Sequence, residues 1–165
     1  MNILSNTSPL CYLILLDYIH LVPELLGEIL IPDAVQYELL HESVDDKVRS
    51  WISKPPAWAT IYPSVNLLDD LPNTLGAGER AIISLAVALQ SRLVIIDDLD
   101  ARVAAQNYRL TVTGTLGILY RAGTAGLLDF PTALERLQQT SFRVSPKLAN
   151  QLLLQYKEQR KLGDD

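Results

Sequence analysis

The chain has 165 residues, of which 48% are hydrophobic and 20% charged, and its formal net charge is −5. This length suits one globular domain with a real core, and the composition excludes a disordered chain. The acidic balance argues against a protein that coats nucleic acid through a broad basic surface, but not against an enzyme that reaches phosphate through bound cations.

The cysteine count and the hydropathy pattern indicate the cellular compartment in which the protein is expected. Cys11 is the only cysteine, which excludes an intramolecular disulfide and a cysteine-based zinc site, and we interpret it as a small buried hydrophobe. No apolar run approaches the roughly 20 residues that span a bilayer, and no basic region precedes the first apolar stretch. We therefore expect a cytoplasmic protein without membrane-spanning or secretory segments.

Short apolar runs alternate with amphipathic segments along the chain. Five runs predict strands, at residues 2–5, 29–31, 59–62, 93–96 and 110–112. Periodic apolar positions predict helices at residues 9–16, 21–26, 33–40, 44–52, 79–90, 101–108, 114–122, 131–139 and 146–160. Ser8 followed by Pro9 is typical of a helix start, and Gly27 is typical of a helix end. Residues 63–75 are predicted to form a loop.

This order of elements predicts an α/β fold. Strands that alternate with helices indicate a three-layer α/β/α sandwich, with a central, mostly parallel sheet of four or five strands. Residues 93–96 are four branched apolar residues without polar alternation, which is typical of a central strand buried on both faces. No linker or repeat divides the chain, so residues 1–165 are predicted to form a single domain, with C-terminal helices from about residue 131.

Polar side chains follow the predicted strands or lie near the starts of helices. Ligands of open α/β sheets bind at the carboxyl ends of the strands, which makes these positions the candidates for a site. The candidates are Asn6, Glu38, Glu79, Asp97, Asp98 and Asp100. Carboxylates that converge there repel one another unless a cation lies among them, and oxygen ligands favour Mg²⁺ or Mn²⁺ over zinc.

Each candidate also has an ordinary structural explanation. Glu79 in a first turn would complement the helix dipole, a contribution of roughly 0.3–1 kcal/mol. Asp98 or Asp100 would cap the helix that follows, Glu38 would belong to an exposed helix face, and Asn6 would form an Asx turn. The spacing of these residues leaves both kinds of explanation open.

Five short segments, taken in order, carry a resemblance to a known family. They are Ser5-Asn6-Thr7-Ser8-Pro9-Leu10, Ile31-Pro32-Asp33-Ala34-Val35-Gln36-Tyr37-Glu38-Leu39, Gly78-Glu79-Arg80-Ala81-Ile82, Ile95-Ile96-Asp97-Asp98 and Val112-Thr113-Gly114-Thr115-Leu116-Gly117. With these segments the chain resembles a PIN domain, in the branch close to the toxins of VapBC toxin–antitoxin pairs. The resemblance runs from Ile3 to about Leu128, and its specificity comes from the order of the five segments rather than from any one of them.

The resemblance implies a Mg²⁺- or Mn²⁺-dependent ribonuclease that holds its metal with four side chains. Carried over by position, these are Asn6, Glu38, Glu79 and Asp98, with Asp97 or Asp100 as supplements. The implied reaction is hydrolysis of an RNA phosphodiester, in which the cation lowers the pKa of a bound water and stabilises charge on the phosphate. The implied partners are the RNA substrate, an antitoxin protein and a second copy of the chain in a homodimer.

Asn6 departs from the family pattern. Family enzymes usually carry aspartate at this position, and asparagine supplies an oxygen ligand without the negative charge. We hypothesise that metal affinity is lowered and that activity is weak or lost. Asp97 would restore the charge only if the strand ends before it, because along a continuing strand its side chain points away from that of Asp98.

Two functions from different classes therefore stay open, an active ribonuclease and a catalytically degenerate PIN domain that binds RNA or a protein. A receiver-like phosphoacceptor domain is a weaker third alternative. It requires an acidic pair after the first strand and a lysine after a late strand, where this chain has Asn6 and Thr113–Gly114. In the C-terminal part, Leu148, Leu152 and Tyr156 form an apolar stripe that we expect to pack on its own domain.

Overall fold

One parallel sheet organises the N-terminal part of the structure, a computed structural model that describes residues 2–163. Within this range five strands pair in the order β3-β2-β1-β4-β5, and every pairing is parallel. The strands are β1 (Ile3–Ser5), β2 (Ile29–Pro32), β3 (Ala59–Tyr62), β4 (Leu93–Ile95) and β5 (Thr111–Thr113). The predicted α/β fold with a parallel central sheet is confirmed, and each strand lies where the sequence predicts it.

Helices connect the strands and continue after the last of them. They are α1 (Thr7–Leu15), α2 (Leu21–Leu26), α3 (Asp33–Leu39), α4 (Asp46–Ser53), α5 (Ala77–Ala88), α6 (Leu99–Asn107), α7 (Thr115–Thr124), α8 (Phe130–Gln138) and α9 (Pro146–Gly163). The predicted helix start at Ser8–Pro9 is wrong by two residues. Asn6 is the N-cap of α1, and Pro9 is tolerated because first-turn amides have no partner within the helix.

Both faces of the sheet are buried. Leu4, Leu30, Val94 and Val112 pair in register and therefore point to one face, where they pack with apolar residues of α5 and α6. The alternate residues point to the opposite face and are equally buried: Ile29, Ile31 and Ile95. This double burial is what the prediction of a three-layer sandwich requires, and it explains why β2 and β4 read as continuous apolar runs.

The strand order fixes where a ligand site can form. The chain runs from β1 outward to β2 and β3, and then crosses to the other side of β1 to form β4 and β5. The connections leave β1 and β4 in opposite directions, so a crevice opens at their carboxyl ends. Asn6 follows β1 directly, and Asp97 and Asp98 follow β4. The topology thus places the predicted residues of two strands side by side.

The chain divides after Thr115 into two compact units. In the second unit Phe130 is fully buried and meets the ring of Tyr120 edge-on at 5.3 Å and that of Tyr156 at 5.6 Å. Along the predicted stripe of α9, Tyr156 is buried and Leu152 is half-buried, whereas Leu148 is 41% exposed. The stripe packs as predicted at Tyr156 but not at Leu148.

Two further sequence expectations can be compared with the structure. Cys11 lies half-buried on α1, and burial raises the pKa of its thiol, with the charge of Asp45 adding to the effect. This agrees with its interpretation as a packing residue. Among residues 2–163, no helix has the length and apolar character needed to cross a bilayer.

The prediction that residues 1–165 form a single domain can be tested with Phe130→Ala. This substitution should cost about 3–5 kcal/mol in the second unit, since it removes a large buried side chain. Both tryptophans, Trp51 and Trp58, lie in the first unit. If the chain unfolds as one domain, the urea midpoint seen by tryptophan fluorescence falls together with that seen by circular dichroism.

The matched control is Leu154→Ala, because Leu154 is 62% exposed on α9. Its midpoint should stay close to that of the unmodified protein. A tryptophan transition that Phe130→Ala leaves unchanged, while circular dichroism shows an earlier loss of helix, would show two independently unfolding units and contradict the single-domain prediction.

Candidate active site

Asn6 lies buried at the carboxyl end of β1. Its residue is 4% exposed, and its backbone amide donates a hydrogen bond to the carbonyl of Ile95 at 2.9 Å. Its side chain makes no cap hydrogen bond to α1, and its Oδ1 has no hydrogen-bond partner within residues 2–163. The predicted Asx turn is therefore not formed. A buried polar atom without a partner costs about 1–3 kcal/mol, so Oδ1 is a position that a ligand would satisfy.

Glu38 projects from the end of α3 and is held by two neighbouring helices. Its Oε2 accepts a hydrogen bond from Thr7 Oγ1 at 2.5 Å, and its Oε1 accepts one from the amide of Gly78 at 2.8 Å. A Cβ atom at residue 78 would lie 2.8 Å from Oε2, so only glycine permits this approach. Glu38 is thus a fixed, half-buried carboxylate and not part of an exposed helix face.

Glu79 lies in the first turn of α5, next to Gly78. Its Oε2 accepts a hydrogen bond from the amide of the N-cap residue Gly76 at 2.9 Å, which is the glutamate half of a capping box; glycine has no side chain to supply the other half. Burial raises the pKa of Glu79; the Gly76 hydrogen bond lowers it, and the negative charges of Asp98, Glu38 and Asp100 raise it further. These three carboxylates, from α3 and from the start of α6, therefore lie within electrostatic range of Glu79.

Asp98 and Asp100 lie exposed at the start of α6. Asp98 is the N-cap, and its Oδ2 accepts a hydrogen bond from the amide of Ala101 at 2.9 Å. Asp100 belongs to the first helical turn, where a carboxylate interacts favourably with the helix dipole. The capping explanation is confirmed for Asp98. Capping occupies one oxygen of this carboxylate and does not preclude a second role for the other.

Asp97 has different surroundings from Asp98. β4 ends at Ile95, so strand alternation does not determine the direction of its side chain. Its Oδ2 accepts hydrogen bonds from Ser8 Oγ at 2.9 Å and Thr115 Oγ1 at 2.7 Å, and its Oδ1 accepts one from the Thr115 amide at 2.7 Å. Burial raises the pKa of Asp97, although these hydrogen bonds and the nearby charge of Arg102 act in the opposite direction.

We call Ser8, Asp97, Arg102 and Thr115 the Asp97 network. The Arg102 guanidinium donates to the carbonyl of Ile96 at 2.8 Å, which ties α6 to the end of β4. The network joins the start of α1, the loop after β4 and the start of α7. Asn6 lies two residues before Ser8, and Asp98 directly follows Asp97. The network therefore fixes the position of Asn6 relative to Asp98. Because three hydrogen bonds already occupy its oxygens, Asp97 is a poor substitute for the charge that Asn6 lacks.

The donor chemistry of the candidates fits a hard cation. Asn6, Glu38, Glu79, Asp98 and Asp100 offer oxygen atoms only, which suits Mg²⁺ or Mn²⁺. Within the described range, however, no three His, Cys, Asp or Glu side chains are grouped closely enough to hold a metal ion. Glu38, Glu79 and Asp98 instead each accept hydrogen bonds from donors of their own. Gathering them on one cation requires side-chain rotations that mutual repulsion opposes until the cation is bound.

The sequence interpretation missed the residues that hold these carboxylates. Thr7 and Gly78 bind Glu38, and Ser8, Arg102 and Thr115 belong to the Asp97 network. The signal available in the sequence is that all but Arg102 lie inside the five segments of the family resemblance. The contacts join residues up to 89 positions apart, so the local pattern alone could not pair them.

The comparison with family models decides which family this chain belongs to. A model described as "DUF3368: PIN domain" matches residues 2–158, which is nearly the whole chain. The chain belongs to the PIN domain family. PIN domains are a nuclease-type family and generally depend on divalent metal ions. The family predicted from the five segments is therefore confirmed.

A solved structure gives the same result for the fold of this PIN domain. It is a PilT N-terminus domain protein from the hyperthermophilic archaeon Sulfolobus solfataricus P2, with a TM-score of 0.53 and 14% sequence identity. The similarity covers 78% of this chain and 95% of the archaeal chain. At this identity the comparison supports the fold alone. No curated protein matches the chain significantly.

The Asp97 network predicts a specific requirement for glycine at position 114. A Cβ atom there would lie 2.7 Å from Asp97 Oδ1 and 3.1 Å from the backbone carbonyl of Ile96. Gly114→Ala should therefore lower the free energy of unfolding by about 1–3 kcal/mol, as overpacking of a fixed contact does. Urea unfolding followed by circular dichroism measures this change.

Gly163→Ala is the matched control, since a Cβ atom at residue 163 has no neighbour within 4 Å. It should change the free energy of unfolding by less than about 0.5 kcal/mol. Equal effects of the two substitutions would mean that the contact around Asp97 is not rigid.

Proposed function

We propose that this PIN domain is a cytoplasmic ribonuclease that hydrolyses RNA phosphodiester bonds with the help of Mg²⁺ or Mn²⁺. The main support is geometric: the Gly78 amide that binds Glu38 directly precedes Glu79, and Asp98 follows β4, two strands from β2, at the carboxyl end of the same sheet. Glu38 and Asp98 both lie within electrostatic range of Glu79. Asp100 contributes further negative charge in the same place. Membership of a nuclease-type family agrees with this proposal.

Each residue has a distinct part in the proposed site. Glu38, Glu79 and Asp98 hold the cation, with Asp100 as a supplementary charge, and Asn6 Oδ1 supplies a neutral ligand or orients a water. Thr7 and Gly78 keep Glu38 in position before the cation arrives. A cation held by these residues would lower the pKa of a bound water and would stabilise negative charge on the phosphate.

The proposal extends to the biological setting. We propose that the protein acts as the toxin of a toxin–antitoxin pair, as a homodimer that an antitoxin protein inhibits. The five segments that resemble VapC-type toxins support this role. The alternative is a degenerate PIN domain that binds RNA or a protein without cleaving it, and the asparagine at position 6 is the observation that favours it.

The metal ligands can be tested without disturbing the helix caps. Asparagine caps a helix as well as aspartate does, and glutamine can replace glutamate in a capping box. Asp98→Asn and Glu79→Gln should therefore keep the stability of the protein while each removes one negative charge. We expect each variant to lose RNA cleavage and to weaken Mn²⁺ binding about tenfold or more, as measured by isothermal titration.

Glu158→Gln, on an exposed position of α9, is the control for removal of one carboxylate charge. It should bind Mn²⁺ and cleave RNA like the unmodified protein. If Asp98→Asn and Glu79→Gln retain full Mn²⁺ affinity and full cleavage, the two carboxylates are caps only and the proposed metal site is wrong.

Asn6→Asp tests the departure from the family pattern. In metal-free buffer the new carboxylate would be buried where Asn6 Oδ1 has no hydrogen-bond donor, so the melting temperature should fall relative to that of the unmodified protein. Millimolar Mn²⁺ should reverse this loss and raise the melting temperature more in Asn6→Asp than in the unmodified protein, because a ligand that binds the folded state stabilises it. Cleavage should increase as well.

The degenerate alternative predicts another result for the same experiment. Neither the unmodified protein nor Asn6→Asp would then cleave RNA, and Mn²⁺ would leave both melting temperatures unchanged. Differential scanning fluorimetry with and without Mn²⁺ distinguishes the two functions in one series.

A further inference from the structure

A cavity beside α5 is not used by the proposed metal ligands. Its volume is about 360 Å³, within the roughly 300–1,000 Å³ that is typical of small-molecule sites. Its walls are mainly apolar, and Arg80 also lines it; the other residues that matter for the argument are Pro32, Pro63, Val65, Ala81 and Leu85.

The cavity and the proposed metal ligands both lie at the carboxyl ends of the strands. Pro32 ends β2 and Pro63 directly follows β3, so the cavity opens at the carboxyl ends of these two strands. Asn6 and Asp98 follow the neighbouring strands β1 and β4. Adjacent strands are about 4.8 Å apart, which puts the cavity one to three strand spacings from the candidate metal ligands.

Helix α5 contributes residues to both the cavity and the candidate metal site. Ala77, Ala81 and Leu85 are four residues apart, so they share the helix face that lines the cavity. Gly78, which donates to Glu38, and Glu79 follow Ala77 directly in the first turn. A substrate whose phosphate lies at Glu79 would therefore have its neighbouring group beside Ala77 and Ala81.

The lining chemistry fits a nucleobase. Proline and aliphatic side chains offer flat apolar surface to the face of a base, and the small side chain of Ala81 leaves room for it. Asp33 also lines the cavity, and it is fixed as an acceptor by the amide of Ser64 at 3.0 Å and by its hydroxyl. Arg80 supplies a planar cation, which suits a phosphate or the face of a base.

We propose that this cavity binds the base of a nucleotide next to the cleaved phosphodiester, with Arg80 holding an adjacent phosphate. This inference rests on the proposed ribonuclease function and adds a base-binding subsite to it. A base must leave its stack to enter the cavity, so the substrate is single-stranded at that nucleotide.

The test combines a change in the RNA with a change in the cavity. A single-stranded RNA oligonucleotide is prepared intact and in versions that each lack one base around the cleavage position. For the unmodified protein, removal of one particular base should raise KM about tenfold, since a buried apolar contact is lost. Ala81→Leu, which fills the cavity, should raise KM for intact RNA by a similar factor. Removal of the same base should then cause no further rise.

Two more variants complete the design. Ala88→Leu, at an exposed position of the same helix, should leave KM unchanged. Arg80→Gln should raise KM several-fold and make it less dependent on salt, because one phosphate contact is lost. Mn²⁺ affinity should stay unchanged in all three variants, which separates a subsite defect from a metal-site defect.

The outcomes separate failure of the subsite from failure of the ribonuclease proposal. If removal of no single base changes cleavage, the subsite proposal is overturned and the ribonuclease proposal is not. The same holds if Ala81→Leu cleaves intact RNA with the KM of the unmodified protein. If Ala81→Leu does not fold, base removal and Arg80→Gln decide the question. Binding without cleavage overturns the ribonuclease proposal, and the same series then tests the subsite through the dissociation constants measured by fluorescence anisotropy. A protein that neither binds nor cleaves RNA overturns both.

Discussion

Repulsion between like charges is the constraint on which the candidate site depends. Glu38 on α3, together with Asp98 and Asp100 at the start of α6, lies within electrostatic range of Glu79 on α5. Hydrogen-bond donors to the charged form lower the cost of such a cluster when no cation is bound. The structure provides donors for three of the four carboxylates: a threonine hydroxyl and a glycine amide for Glu38, and helix N-terminal amides for Glu79 and Asp98. The same donors that make the cluster tolerable also preorganise it.

A further carboxylate, Asp97, has a different role. It lies next to Asp98 in the sequence, but it accepts three hydrogen bonds from Ser8 and Thr115 and has Arg102 close by. Its function is to hold the ends of several elements together, and Gly114 is the residue that leaves space for it. Asp97 and Asp98 are thus neighbours in the sequence with different roles: Asp98 is a candidate metal ligand, and Asp97 holds the surrounding elements in place. The metal-binding proposal rests on Asp98 and the rigidity of the crevice on Asp97.

In the proposed ribonuclease, the cavity along α5 would help the acidic site to bind its polyanionic substrate. A cluster of carboxylates repels RNA unless a cation intervenes, and the protein as a whole is acidic. Arg80 and the apolar walls beside Ala81 offer attraction that does not depend on the metal. On this view α5 presents a metal ligand from its first turn and a base-binding face along the following turns. Substrate affinity and metal affinity then depend on different residues of one helix.

The sequence by itself determined the fold class and the positions of the strands, because continuous apolar runs and helix periodicity are local patterns set by burial on both sheet faces. The family followed from the resemblance of five short segments in order. The same resemblance singled out Asn6, Glu38, Glu79 and Asp98 as the candidate metal ligands, and Asn6, Glu79 and Asp98 also stand at strand ends or helix starts, which are recognisable from local sequence. Only the tertiary structure decided that Glu38 is held by Thr7 and Gly78, that Asp97 belongs to a structural network, and that α1 begins at Thr7. These facts depend on contacts between distant segments. Such contacts arise from packing geometry, which no local pattern encodes.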